Sequence, residues 1–159
     1  MKASTMIIGI ITGIILTAII GWNVAPGMMT TETLSPYGVD ETAERLKTKA
    51  LEIGWVVPSI TKLNQSIKKH GGGELPPIRL VNMCQADHAY RILKDDKNKF
   101  VSVMMPCTIS VFEKSDGKTY ISAMNAGLLG KMFGGEIAVV MSGPVAVAQQ
   151  SIIDYAIEK

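Results

Sequence analysis

Hydrophobic and polar residues alternate along residues 102–112, Ser-Val-Met-Met-Pro-Cys-Thr-Ile-Ser-Val-Phe. Val103, Met105, Cys107, Ile109 and Val111 share one parity, while Ser102, Thr108 and Ser110 share the other. Period-two patterning predicts a strand with one face in a core, running on to Glu113. Pro106 supplies no ladder donor, so an edge, a bulge or a strand start is expected there. Further strands are predicted over residues 28–34, 55–57 (broken by Pro58), 78–84 and 119–124. Ser115-Asp116-Gly117-Lys118 reads as a type I′ hairpin turn, because Asp-Gly supplies positive φ angles. Asp40 is the expected N-cap of a helix that carries Ala43, Leu46, Lys47, Ala50, Leu51 and Ile53 at helical spacing and stops at Gly54. Shorter helices are expected over residues 61–70, 86–93 and 125–133. A last one runs from Pro144 to about Ile157, with Val145, Ala148, Ile152 and Tyr155 on one face. Residues 137–141 are apolar and fit either strand or helix. Residues 70–77 read as a loop and 95–99 as a charged turn. Strands and helices without regular alternation predict an α+β fold over residues 26–159. It is expected as a single compact domain, a mainly antiparallel sheet with helices packed on one face.

The N-terminal pattern differs in kind. Residues 6–24 carry no charge over 19 positions, about 28 Å of helix, enough for a bilayer core. A transmembrane signal-anchor over residues 1–25 is therefore expected ahead of the domain. Asn23-Val24-Ala25 is a poor small-x-small cleavage site, which disfavours a cleaved leader. Lys2 precedes the span, so the positive-inside rule leaves the N-terminus in the cytoplasm and exports the domain to the periplasmic side of a single-pass inner-membrane protein. Trp22 stands where an interfacial aromatic would sit, and Ala25-Pro26-Gly27 reads as a linker. Gly9, Gly13, Thr17 and Gly21 recur every four residues, a small-residue seam against which another helix packs closely in lipid.

Composition agrees. Apolar residues make up 47% of the 159 and charged ones 19%, rich in apolar content for a soluble chain. Sixteen basic and fourteen acidic residues are spread along the chain without a basic stripe, so nucleic acid is not an expected partner. Two cysteines exclude a dense disulfide scaffold, and there is no Cys-x-x-Cys-His for haem attachment.

Cys84 ends one predicted strand, His88 follows four residues later, and Cys107 lies in the alternating strand. With Met83, Met104 or Met105 beside them, thiolate, imidazole and thioether donors suit copper, zinc or a non-covalently held haem iron. A Cys84–Cys107 disulfide in an oxidising compartment competes with that reading, as do two inert buried thiols. Acid–base catalysis finds no paired carboxylates. Cys107 as a nucleophile would need His88 as its base. The His70-Gly71-Gly72-Gly73 run lacks the Gly-x-Ser-x-Gly elbow that would make it an oxyanion element.

Several short motifs together resemble the family known as domain of unknown function 302, over residues 31–159. They are the Gly-Trp-Val stretch after the first helix of the domain, Val81-Asn82-Met83-Cys84 leading to Ala89-Tyr90 and Leu93, and Met105-Pro106-Cys107 with the Asp-Gly hairpin behind it. Gln85-Ala86 departs from the Asn-Pro pair usual after the first cysteine, and Ala126 replaces a proline. The resemblance implies a compact α+β domain that is often a homodimer, and no established activity. Two functions are expected. The first is a membrane-anchored, exported accessory subunit of a respiratory or photosynthetic electron-transfer complex, docked through the transmembrane helices of its host. The second is a metal- or haem-binding redox protein using Cys84, His88, Cys107 and Met105.

Overall fold

The computed structural model describes residues 2–159; the side chains of residues 1–6, 22, 23, 25 and 26 lie outside the described set. Seven α-helices and five strands are described. A helix α1 (Lys2–Met28) leads into β1 (Thr30–Ser35). Then come α2 (Val39–Glu52), β2 (Val56–Lys62), α3 (Leu63–Lys69), β3 (Ile78–Cys84) and α4 (Ala86–Leu93). A 3-10 segment, Asp96–Met104, precedes β4 (Cys107–Glu113) and β5 (Thr119–Met124). Helices α5 (Ala126–Phe133), α6 (Gly135–Val140) and α7 (Ala146–Ile157) close the chain.

The strands form one sheet in the order β1-β5-β4-β3-β2, antiparallel throughout. Every second side chain on β3, β4 and β5 is buried: Val81 and Met83, Ile109 and Val111, Ile121 and Ala123. Against them pack α2 through Leu46 and Ala50 and α7 through Ile152 and Ala156, all four without exposed surface. The opposite face stays half open and carries Asn82, Thr108, Ser110 and Ser122, with Phe112 and Tyr120 stacked. This is the single compact α+β domain the pattern predicts, helices on one face.

The alternating strand is shorter than expected. Residues 102–104 belong to the 3-10 segment, Val103 is 87% exposed, and pairing begins only after Pro106, opposite β3 at Met83↔Cys107. Asp95 accepts a hydrogen bond from the Lys97 N–H and opens that segment, so the predicted charged turn is its first part. Pro58 does not end β2. The strand lies at the sheet edge, where a missing N–H is harmless, and its register shifts between Val56 and Ser59. The β4–β5 connection is not type I′: the Gly117 N–H donates to the Lys114 carbonyl at 2.9 Å and Gly117 alone in the turn has positive φ, +71°. That is a type I turn closed by a left-handed glycine. Gly38, not Asp40, caps α2.

Helix α1 runs through Ala25-Pro26-Gly27 without the expected linker, and the Asn125 side chain holds its end by donating to the Met28 carbonyl at 3.1 Å. Its described apolar run is Ile7–Gly21, shorter than the expected span. The readings at Lys2, Met6 and Trp22 fall on side chains outside the described residues. A second run, Gly135–Ile157, has the length and composition to cross a membrane. It is broken at Gly143 (ψ −107°) beside Pro144, and Val140 and Ile152 within it are fully buried in the domain. It is a core element.

Candidate functional site

At the end of β3, the chain turns into α4 because the Gln85 side chain accepts the His88 N–H at 2.8 Å, capping the helix. The same corner receives the start of β4. Register pairs Met83 with Cys107, so Cys84 stands one residue beyond the direct partner of Cys107. The Met105–Pro106 peptide bond is cis. Between these elements lies a cavity of about 40 Å³, bordered by Cys84, His88, Met105 and Cys107. It has room for two or three waters or one ion; a haem macrocycle would need the walls to part.

The four cofactor-site residues expected from the sequence are thus brought to one place, together with Met83 and Met104. Pattern reading missed Trp55 and Met141. Trp55 follows the turn at Gly54 and is 5% exposed, its ring edge-on to His88 at 6.3 Å. Met141 opens the segment between α6 and α7 and ends the apolar run of residues 137–141 that fitted either strand or helix. Only the long-range packing of that segment carries Met141 to the cavity, and no local signal announced it.

Both cysteines are free thiols. Burial pushes the Cys107 thiol above its ordinary 9.0, and the neighbouring Cys84 adds to the rise. Cys107 is therefore a protonated thiol at neutral pH, the opposite of what an activated nucleophile needs. In the reduced native protein it is expected to react with a thiol reagent at pH 8 at least about tenfold more slowly than after denaturation. Equal rates would show an open, ordinary thiol. Among the described residues, no three of His, Cys, Asp and Glu converge on a metal-sized position.

The small-residue seam lies on α1, away from this cavity. Open space surrounds Gly9, Gly13 and Gly21, and the Thr17 hydroxyl donates within the helix to the Gly13 carbonyl at 2.9 Å.

A family model described as Domain of unknown function DUF302 matches residues 31–154. No curated protein matches the chain. Among solved structures, the crystal structure of an uncharacterized conserved DUF302 protein from Bacillus stearothermophilus is similar, with a TM-score of 0.70 and 20% identity over 81% of this chain and 98% of that one. At that identity the likeness is one of fold.

Proposed function

The chain belongs to the DUF302 family, and on that fold together with its N-terminal helix we propose that it is a membrane-anchored accessory subunit, its domain exported and docked on a larger electron-transfer assembly. The observation that carries this reading is the surface of α1. Ile7, Ile8, Ile10, Ile14, Leu16 and Ile20 are each more than half exposed, and at about 100° per residue they project around the whole helix. A helix apolar on every side belongs in a protein core or in lipid, and the domain does not cover this one. The 27 residues of α1 reach about 40 Å at 1.5 Å per residue, more than a bilayer core. Only Met29 separates it from β1, so the domain begins directly at the end of its anchor. Gly9, Gly13 and Gly21, with nothing against them in this chain, leave a groove that a host helix fills. The soft-donor cavity on the exported side favours an electron-transfer host over others.

Two measurements test this. The full chain is expected to stay with membranes through an alkaline carbonate wash; release into the wash removes the anchor. In mild detergent, Gly9→Leu with Gly13→Leu is expected to lower recovery of the host subunits at least about tenfold, since a leucine at each position holds the helices apart. Undiminished co-purification would refute docking through the seam.

A further inference from the structure

We propose that the pocket where β3, β4 and α4 meet is a copper(I) site, with the ion held between the sulfurs of Cys84 and Cys107 and thioether donors around it.

Sulfur is concentrated on the walls. Met83, Cys84, Met104, Met105, Cys107 and Met141 border the cavity, half of the sulfur residues in a chain with 10 Met and 2 Cys. No aspartate, glutamate, lysine or arginine borders it. Methionines alone would be ordinary core filler. Packing does not account for two free thiols and an imidazole around a space left unfilled in an otherwise close-packed core. The volume, about 40 Å³, suits one ion.

The donor set selects the metal. Calcium and magnesium require several oxygen ligands, and of the side chains on these walls Gln85 alone carries an amide oxygen, already engaged by the His88 N–H. Structural zinc takes four ligands drawn from cysteine, histidine and carboxylate, and among the described residues no three such groups converge. Thiolate and thioether sulfur select copper(I), a d10 ion satisfied by two or three soft ligands. A thiolate also neutralises the ion, which matters in an apolar cavity where an isolated charge is costly. Each cysteine that binds releases its proton to solvent as its sulfur–copper bond forms, and the metal keeps its oxidation state.

The test uses the full chain in detergent, reduced, metal-free and anaerobic, titrated with copper(I) against a chromophoric chelator. One copper per chain is expected to leave the chelator, with a near-ultraviolet thiolate-to-copper band. Cys84→Ser and Cys107→Ser are each expected to weaken binding by roughly 100-fold and Met105→Leu by roughly tenfold, as thiolate and thioether donors are lost in turn. The proposal falls if the chelator keeps all the copper, or if a folded Cys84→Ser/Cys107→Ser double variant binds like the parent. Should the serine variants unfold, X-ray absorption on the copper-loaded parent decides. A sulfur shell supports the site, and a shell of nitrogen and oxygen alone overturns it. None of these readings depends on the anchor or on a host complex.

Discussion

Gly130→Ala is expected to destabilise the protein by about 2 kcal/mol, although alanine is the better helix former by up to about 1 kcal/mol. Gly130 lies buried in α5, where that helix crosses the segment between α6 and α7. An added Cβ would meet the Met141 Cβ at 2.7 Å, the Ser142 Oγ at 2.8 Å and the Ser142 backbone nitrogen at 3.0 Å. Two of these atoms belong to the main chain or sit next to it, so no side-chain rotation relieves the clash. Ser142 is further held because its hydroxyl donates to the Gly127 carbonyl at 2.9 Å. Overpacking of this kind typically costs about 1–3 kcal/mol and moves backbone. The backbone that must move carries Met141 and Val145 into the sulfur-lined cavity, so the variant should also distort the site. Gly127→Ala, one turn earlier, is the control: its Cβ would find nothing nearer than 3.6 Å, ordinary contact, and should be neutral or slightly stabilising. Thermal unfolding followed by circular dichroism is expected to separate the two by roughly 5 °C, given a few degrees per kcal/mol at this size. Equal midpoints would mean that α5 and the following segment are not locked together.

What could be read from the chain follows from how local each signal is. Alternation over residues 78–84 and 119–124 was enough for β3 and β5, since strands with one buried face write their register in the sequence. Helix α4 was equally plain. Residues 102–104 misled because parity alone cannot distinguish a strand from a turn that continues it. Val103 shares the parity of Cys107 yet is 87% exposed, and Pro106 marks the true boundary. The hairpin turn was misjudged because Asp-Gly serves both a type I′ turn and a type I turn closed by a left-handed glycine. Which of them forms depends on how the flanking strands twist together. Cys84, His88 and Cys107 were found together because chemistry and spacing singled them out. Met141 was not, because its place depends on the kink at Gly143 and on the close approach that Gly130 permits, both properties of the assembled helices.

Arg79→Ala should cost about 2 kcal/mol and change the acid limb of stability. Arg79 is the charged residue of the core face of β3, with its side chain 7% exposed, whereas the Asp40 side chain is 73% exposed. Its Nε donates to Asp40 Oδ1 at 2.6 Å and its Nη2 to Asp40 Oδ2 at 3.1 Å. Its Nη1 donates to Asn64 Oδ1 at 3.1 Å and to the Ile78 carbonyl. One guanidinium thus joins the first turn of α2, the start of α3 and the strand that ends in Cys84. Hydrogen bonds to charged groups contribute roughly 1.5–3 kcal/mol each, but the carboxylate side is in water, which discounts the pair. The buried aliphatic stem adds packing that alanine loses. Asp40→Ala should cost less, about 1 kcal/mol, because Asn64 and water still serve the guanidinium. The hydrogen bond from Arg79 holds the Asp40 carboxyl below its ordinary 3.8; the charges of Arg79 and Lys62 add to this against the opposing effect of burial. A carboxyl with a lowered folded-state pKa stabilises the fold at neutral pH, and that contribution fades as pH falls through the folded value. Stability measured by denaturant unfolding should therefore decline below about pH 4 in the parent and decline less in Asp40→Asn, with Arg79→Ala resembling the asparagine variant in slope. If all three share one acid limb, the pair does not link α2 to β3 in solution, and the strand that presents Cys84 is held by its pairing with β2 and β4 and by apolar packing.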